Sequence, residues 1–407
     1  MAFDLIRVCV FGVCEPGWLA GLRLAGASAV EASAFDVRPV ADDADLARVL
    51  ADVRPQVVVS VGDLASFPRL LGAPLEVRKR WLHLADPGEP GLVAAQIMHT
   101  FVQNVCAPRF PEFPLVSVFT PTYRTGDTIG RPWRSLQDQV YDNWEWVLYD
   151  DSPDDGATFA RLQRLAREDA RVHVFRAAEP SGVIGEVKRR ACGLARGAIL
   201  VELDHDDELT PRALLDVVEA YRQFPDAGFF YTDCAEVLAD GRNAFYDEGW
   251  GFGYGSYRLQ TWRGHEYLVT NYPDINAKTI RHIVGVPNHL RAWTREAYQR
   301  CGGHNPDLHV ADDYELVLRT FLTTRMVHIR RFGYVQHHHA EPLGNTQRRR
   351  NGEIQRLVRY LAGAYNERIH ERLRELGVED FIWVGDGHLD WSRPNPDPTP
   401  IANDIMA

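Results

Sequence analysis

The run Leu203-Asp204-His205-Asp206-Asp207 ends the apolar stretch AILVEL and is the most chemically loaded segment of the chain. Three carboxylates within four residues repel one another, and a buried strand end tolerates this poorly. A hard divalent cation resolves the conflict: Mg²⁺ or Mn²⁺ takes one or two carboxylates and completes its shell with phosphate oxygens. The competing reading is an acidic loop that caps a helix at Thr210-Pro211, for which one of the three acids would suffice.

Four further groupings carry chemistry. Tyr149-Asp150-Asp151-Ser152 again closes an apolar run; its carboxylates can accept hydrogen bonds from a ribose hydroxyl or a base N–H, or simply build a turn. Lys188-Arg189-Arg190 follow Gly185 at the start of a helical pattern, where three cations oppose the dipole and call for an anion nearby. A solvated face is the alternative. Asp312-Asp313-Tyr314-Glu315 opens another helical pattern after Cys301-Gly302-Gly303, and capping alone accounts for acids there. Last come His337-His338-His339, with Asn345 and Thr346 beyond them. Imidazole completes metal shells, but three consecutive residues cannot all reach one ion from a regular strand or helix, which argues against a zinc enzyme.

The elements that must hold these groups alternate between short apolar strands and helices. In residues 1–107 strands are expected at 6–11, 56–62 and 80–86, with helices at 41–53 (capped by Asp42 or Asp43) and 91–105. These make a small, doubly wound, Rossmann-like α/β domain. It has no GxGxxG, so a docking or scaffolding role is expected over a nucleotide site. The Pro-rich stretch 108–114 breaks both periodicities and reads as a linker. A second alternation follows, with strands at 115–121, 144–151, 172–177 and 198–207, and helices around 131–140, 157–168 and 185–196. Strands that end in polar residues place them along one carboxyl edge, where open α/β sheets bind ligands. A helix at 211–223, a strand at 228–238 and an aromatic, glycine-rich segment at 243–272 come next, and a long helix from 353 to 376 precedes a Pro-rich tail.

The whole has 407 residues, which points to two or three domains. With 45 basic and 56 acidic residues the net charge is −11, so nucleic acid is not an expected partner and an anionic ligand needs a local cation. No apolar run reaches the length of a membrane span, the first residues read as a strand rather than a signal peptide, and six scattered cysteines suit a reducing cytoplasm.

Four stretches together resemble the inverting family 2 glycosyltransferases: VSVFTPTYR (116–124), VLYDDS (147–152), GEVKRRACGLARGAILVELDHDDEL (185–209) and RAWTREAYQRCGGHNPDLHVADDYELVLR (291–319). The resemblance implies a GT-A nucleotide-sugar-binding mixed sheet flanked by helices over residues 115–346, preceded by the smaller doubly wound domain and followed by a C-terminal helix and tail over 347–407. It implies that Thr120, Pro121, Thr122 and Tyr123 line a nucleotide pocket, with Asp151 or Asp150 on the base or ribose and Lys188 or its competitor Arg190 on the nucleotide. Asp204 and Asp206 match the outer positions of an Asp-x-Asp motif for Mn²⁺ or Mg²⁺, which makes them metal residues. Asp313 matches the catalytic base beside Asp312, and His338 or a neighbour the late metal-side histidine. The donor is then a nucleoside diphosphate sugar, a UDP-sugar being favoured, and the acceptor a glycan or other hydroxyl compound. Trp250, Tyr254 and Trp262 are the aromatic candidates beneath the acceptor. Gln347 and Arg350 keep the spacing of the processive Gln-x-x-Arg-Trp motif, but Asn351 replaces the Trp, so single-sugar transfer is expected. A homo-oligomer is left open. The rival readings are a nucleotidyltransferase acting on a sugar phosphate and a noncatalytic nucleotide- or glycan-binding module.

Overall fold

The computed structural model describes residues 5–29, 35–106, 110–246, 256–272, 275, 280, 287–339, 349–377 and 404–406. Trp250, Tyr254, Asn345, Thr346 and Gln347 lie outside them. The chain divides into two compact units. The first contains residues 1–124, 143–181 and 190–198, the second 125–142, 182–189 and 199–407.

The first unit opens with β1 (Ile6–Phe11), α1 (Pro16–Ala29), β2 (Phe35–Val40), α2 (Leu46–Asp52), β3 (Val57–Val61), the short α3 (Pro68–Leu71) and α4 (Leu75–Arg78), β4 (Trp81–Leu84) and α5 (Pro90–Cys106). Its strands are all parallel, in the order β2-β1-β3-β4. The expected α/β alternation is therefore present. β2 escaped the pattern because Asp36, Arg38 and Pro39 interrupt its apolar run; proline is tolerated there because β2 is an edge strand. Val8, Val10, Leu22, Val57, Val59, Leu82, Ala94 and Ile97 form the core. Each buried aliphatic chain contributes roughly 1.5–3 kcal/mol. Asp43 does not cap its own helix. Its carboxylate accepts from the N–H groups of Arg69 (2.7 Å) and Leu70 (2.9 Å) and so caps α3 instead.

The same unit holds three more parallel strands, β5 (Val116–Thr122), β6 (Trp144–Asp150) and β7 (Val172–Arg176), and a helix, α7 (Ala157–Glu168). Every residue of β5 and β6 is buried, which is why these strands read as near-continuous apolar runs. Glu145, an acid inside β6, is fully buried and accepts from Ser117 Oγ (2.5 Å), Arg196 N (2.6 Å) and Arg196 Nε (2.6 Å). Arg196 donates further to Thr100 on α5 (3.1 Å) and lies 2.7 Å from His173 Nε2.

The second unit contains α6 (Gly130–Gln137), the opening turns of α8 (Ile184–Leu194), β8 (Ile199–Glu202), β9 (Glu208–Leu209), α9 (Ala213–Gln223), β10 (Ala227–Val237), β11 (Ser256–Trp262), β12 (His265–Asn271), β13 (Arg291–Thr294), α10 (Arg295–Arg300), α11 (Asp312–Thr323), β14 (Arg325–His337) and α12 (Asn351–Glu375). Its sheet runs β11-β12-β10-β13-β8 with antiparallel neighbours, while β14 joins β10 in parallel and β9 in antiparallel fashion. This is a mixed sheet flanked by helices, as expected. β14 was not legible as a strand: Arg330 and Arg331 sit in its middle, and its register with β10 shifts beside Asp233. Most of the described part of the aromatic segment is the β11–β12 hairpin. Its two-residue loop, Arg263-Gly264, has φ of +49° and +75°, the left-handed pair that a tight hairpin turn requires.

Candidate active site

The turn after β8 sorts its acids by direction. Asp207 is buried, accepting from Tyr334 Oη (2.8 Å) and the His337 N–H (2.8 Å). Asp206 points the other way: its carboxylate meets His339 Nε2 and its carbonyl accepts from Arg131 (3.2 Å). Asp204 lies 3.8 Å from His289 Nε2, and the His289 ring stacks on Tyr334 at 4.4 Å. Ligand atoms of Asp204, Asp207 and His289 all fall within 4.8 Å of one another.

That donor set fits a divalent cation. Two ligands of one ion stand at most about 4–5 Å apart, given metal–oxygen distances near 2.0–2.6 Å. Burial and the neighbouring Asp206 and Asp204 push Asp207 well above the ordinary carboxylate range, and burial with Glu202 and Asp206 lifts Asp204 to about 7. Burial holds His289 neutral, at about 3, and among the described residues its Nδ1 has no hydrogen-bond partner. Carboxylates this unwilling to ionise, beside a neutral imidazole, are relieved by positive charge.

Next to this turn is a buried chain of charges. Lys188 Nζ contacts Glu202 Oε1 (2.6 Å) and Asp312 Oδ2 (3.1 Å); Arg291 donates through Nε to Glu202 Oε2 (2.8 Å) and through a terminal nitrogen to Asp313 Oδ2 (2.9 Å). Local sequence explains the assembly. Gly185 opens α8 against the loop before α11: a Cβ there would meet Asn305 O at 2.0 Å, so only glycine lets Lys188 approach. Ala311, at φ +54°, turns the chain into α11, whose first turn carries Asp312, Asp313 and Glu315. Asp312 and Asp313 part in character. Burial raises Asp312, whereas Arg291, then Lys188, outweigh burial and hold Asp313 below the usual range. The Asp313 side chain keeps 34% of its surface; that of Asp312 keeps 6%.

In the first unit, Thr122 pairs in register with Asp150 at the ends of β5 and β6. Thr120 Oγ1 accepts from Trp146 Nε1 (2.8 Å), and Asp151 accepts from the Ser181 N–H (2.8 Å) and Oγ (3.2 Å). Tyr123 is exposed. Arg190 donates to Tyr149 Oη at 3.2 Å.

Residues 117–272 match the family model described as "Glycosyl transferase family 2". They form a family 2 glycosyltransferase domain. Curated relatives agree: a putative teichuronic acid biosynthesis glycosyltransferase, TuaG, of Bacillus subtilis is 38% identical over 31% of this chain and 50% of its own length. An uncharacterized protein of Sinorhizobium fredii, y4gI, is 37% identical over 33% of this chain and 15% of its own. The hyaluronan synthase of Pasteurella multocida is 22% identical over 69% and 25%. The chain thus spans between 15% and 50% of the length of these relatives. Among solved structures, Staphylococcus aureus TarS 1–349 with UDP-GlcNAc aligns at 16% identity and a TM-score of 0.46, over 63% of this chain and 71% of that one.

The acids expected from sequence at 204, 312 and 313 belong to one continuous neighbourhood with Lys188. The cluster of Asp204, Asp207 and His289 does not include Asp206, whose carboxylate meets His339, or His338, whose Nε2 meets Glu236 at 2.8 Å. His337 goes to Glu208 at 2.9 Å, so the three imidazoles face three different carboxylates. Trp262 packs on Tyr267 and Phe332. Sequence reasoning missed Glu202, His289 and Arg291. Glu202 had one signal, an acid inside an otherwise apolar strand. His289 and Arg291 alternate at period two but follow a segment without clear periodicity. Among the described residues no helix is long and apolar enough to cross a membrane.

Proposed function

We propose that the chain transfers a single sugar from a nucleoside diphosphate sugar, UDP-linked by preference, to an acceptor hydroxyl with inversion. The observation that supports this best is the half-open Asp313 carboxylate, held at the start of α11 by Arg291 while its neighbour Asp312 is buried against Lys188. In this reading Asp313 takes the acceptor proton while the acceptor oxygen bonds to the anomeric carbon and the bond to the diphosphate oxygen breaks. A carboxylate below its usual pKa range suffices, because the proton moves only as the new bond forms. A single displacement needs one base and inverts the centre.

Mn²⁺ or Mg²⁺, when bound at Asp204, would offset the charge that develops on the diphosphate. Asp206 with His338 is the partner set that the family pattern favours; Asp207 with His289 is the one that the distances favour. Thr120, Pro121, Thr122, Tyr123, Asp150 and Asp151 are assigned to the nucleoside, Lys188 or Arg190 to the nucleotide, and Trp250, Tyr254 and Trp262 to the acceptor. The divisions 1–107, 108–114, 115–346 and 347–407 remain the proposed functional segments, within a cytoplasmic protein.

The test is a thermal-shift screen of UDP, GDP and dTDP with and without Mn²⁺, followed by turnover of UDP-sugars. Asp313→Asn is expected to keep the nucleotide-dependent rise in melting temperature and to lose transfer by about 10²–10⁴-fold. Near-full transfer by that variant would remove the proposal's centre.

A further inference from the structure

Glu202 is the hub of the charge chain. Its two oxygens take one cation each, and each cation carries one of the two acids that open α11: Lys188 holds Asp312, Arg291 holds Asp313. The three carboxylates outnumber the two cations, and four of the five side chains keep 7% of their surface or less. The exception is Asp313, at 34%. The excess negative charge therefore resides on the carboxylate that faces outward.

From this geometry we infer that Arg291 and Glu202 are positioning residues of the transfer reaction, which fix the direction of the Asp313 carboxylate and select it over Asp312 as the base. The inference rests on the proposed role of Asp313. A guanidinium is planar and presents its donors in a rigid fork, so anchoring Nε on Glu202 fixes where the terminal nitrogen points and hence where Asp313 Oδ2 is held. The other oxygen, Oδ1, accepts from the Tyr314 N–H (2.7 Å), so both carboxylate oxygens are held and a remaining lone pair faces an acceptor. His304, 4.0 Å from Asp312 and bonded through Nδ1 to Tyr298 Oη (2.8 Å), closes the inner side of the cluster. An ammonium at position 291 would keep the charge but lose the fork.

Arg291→Gln, Arg291→Lys, Glu202→Gln and Asp313→Asn, alone and in the double variants with Asp313→Asn, are to be measured in the full chain. Three readouts are needed: turnover of whichever UDP-sugar the wild type consumes, calorimetric affinity for UDP with Mn²⁺, and melting temperature. Arg291→Gln should lower kcat about a hundredfold with UDP affinity within about twofold, and Arg291→Lys should fall between it and the wild type. In an Asp313→Asn background neither substitution should cost more, because the group it positions is gone. Should Arg291→Gln fail to fold, the cycle of Arg291→Lys with Asp313→Asn decides. Unchanged turnover in Arg291→Gln, a parallel loss of UDP affinity, or full additivity with Asp313→Asn overturns the positioning role. An active Asp313→Asn instead overturns the base assignment.

Discussion

Each unit of the protein contains a buried glutamate bound to an arginine, and the two clusters end up doing different things. In the first, Glu145 takes Ser117, the Arg196 N–H and Arg196 Nε at 2.5–2.6 Å, and Arg196 spends its remaining donors on Thr100 and His173. Glu145 is driven down to about 2 as Arg196, His173 and these hydrogen bonds overcome the cost of burial. Acid and cation match one to one and nothing faces outward. In the second, Glu202 is likewise held well below its ordinary range by Arg291 and Lys188 against burial, but two further acids share those cations. A matched cluster closes and becomes structural. A cluster with one acid too many leaves a carboxylate available for chemistry.

The sharpest way to break this contrast is Glu145→Ala. Removing one partner of a buried pair strands the other, at a cost of about 3–5 kcal/mol, and Arg196 has no route to solvent. A fall in melting temperature on the order of 10 °C is expected, from roughly 2–4 °C per kcal/mol in a domain of this size, with turnover per folded molecule unchanged. A variant that stays stable but loses turnover would show that the first cluster also serves the reaction.

Metal dependence comes next. Asp204→Ala should weaken Mn²⁺-dependent UDP binding by at least about tenfold, since even outer partners of a metal ligand cost that much. Asp207→Ala against Asp206→Ala then separates the two partner sets. If distance decides, Asp207→Ala is the worse; if the Asp-x-Asp pattern decides, Asp206→Ala is. Calorimetry in excess chelator supplies the baseline, and equal UDP affinity there would dispense with the metal altogether.

The closed cluster should also weaken in acid. Burial holds His173 neutral at about 3, assisted by Arg196, and holds His83 and His99 at about 4. Their folded values lie below the unfolded value near 6.5, so between those limits the unfolded chain binds more protons and stability falls as pH falls. Glu145 adds to the loss below about 4.5, continuing to about 2. With Asp204 and Asp207 replaced by Asn, which removes the opposing contribution of two carboxyls raised above their usual range, the melting temperature should therefore decline from about pH 6.5 to 4. A curve that is flat down to pH 4.5 would mean that these histidines are not buried as neutral groups.

Sequence legibility followed the same contrast. Parallel strands buried on both faces, such as β5 and β6, appear as predominantly apolar runs, and the helix at 157–168 was readable from its spacing alone. The acids at 204, 312 and 313 were readable because clustered charge beside apolar sequence is costly without a purpose. What could not be read was reciprocity. Lys188 looked like a cation awaiting an external anion, yet its partners are Glu202 and Asp312, 14 and 124 residues onward. Arg291 carried no local mark at all, since its meaning depends on two carboxylates brought to it by β8 and α11. Asp43 capped α3 rather than α2 for the same reason: a carboxylate serves whichever N–H groups the fold delivers.

The smallest expected effect tests the edge of the second unit. Trp262 sits at the end of β11 with its ring against Tyr267 (5.8 Å between centroids) and Phe332 (6.3 Å), and the Arg263 guanidinium lies over it at 4.5 Å. It packs on the cluster of Ala235, Val237, Val269 and Val335 while remaining only partly buried. A flat apolar face at the rim of a sheet suits the C–H face of a sugar, yet the same contacts would hold the hairpin down by themselves. Trp262→Ala should raise the acceptor KM several-fold, leave UDP affinity unchanged, and lower the melting temperature by only a few degrees, because a half-exposed ring forfeits less than the roughly 3–5 kcal/mol of a fully buried one. Trp262→Phe should restore stability before it restores KM, since the phenyl ring refills the contact with Phe332 but offers a smaller platform. A loss of melting temperature with no change in KM would assign Trp262 to packing and leave the acceptor to other residues.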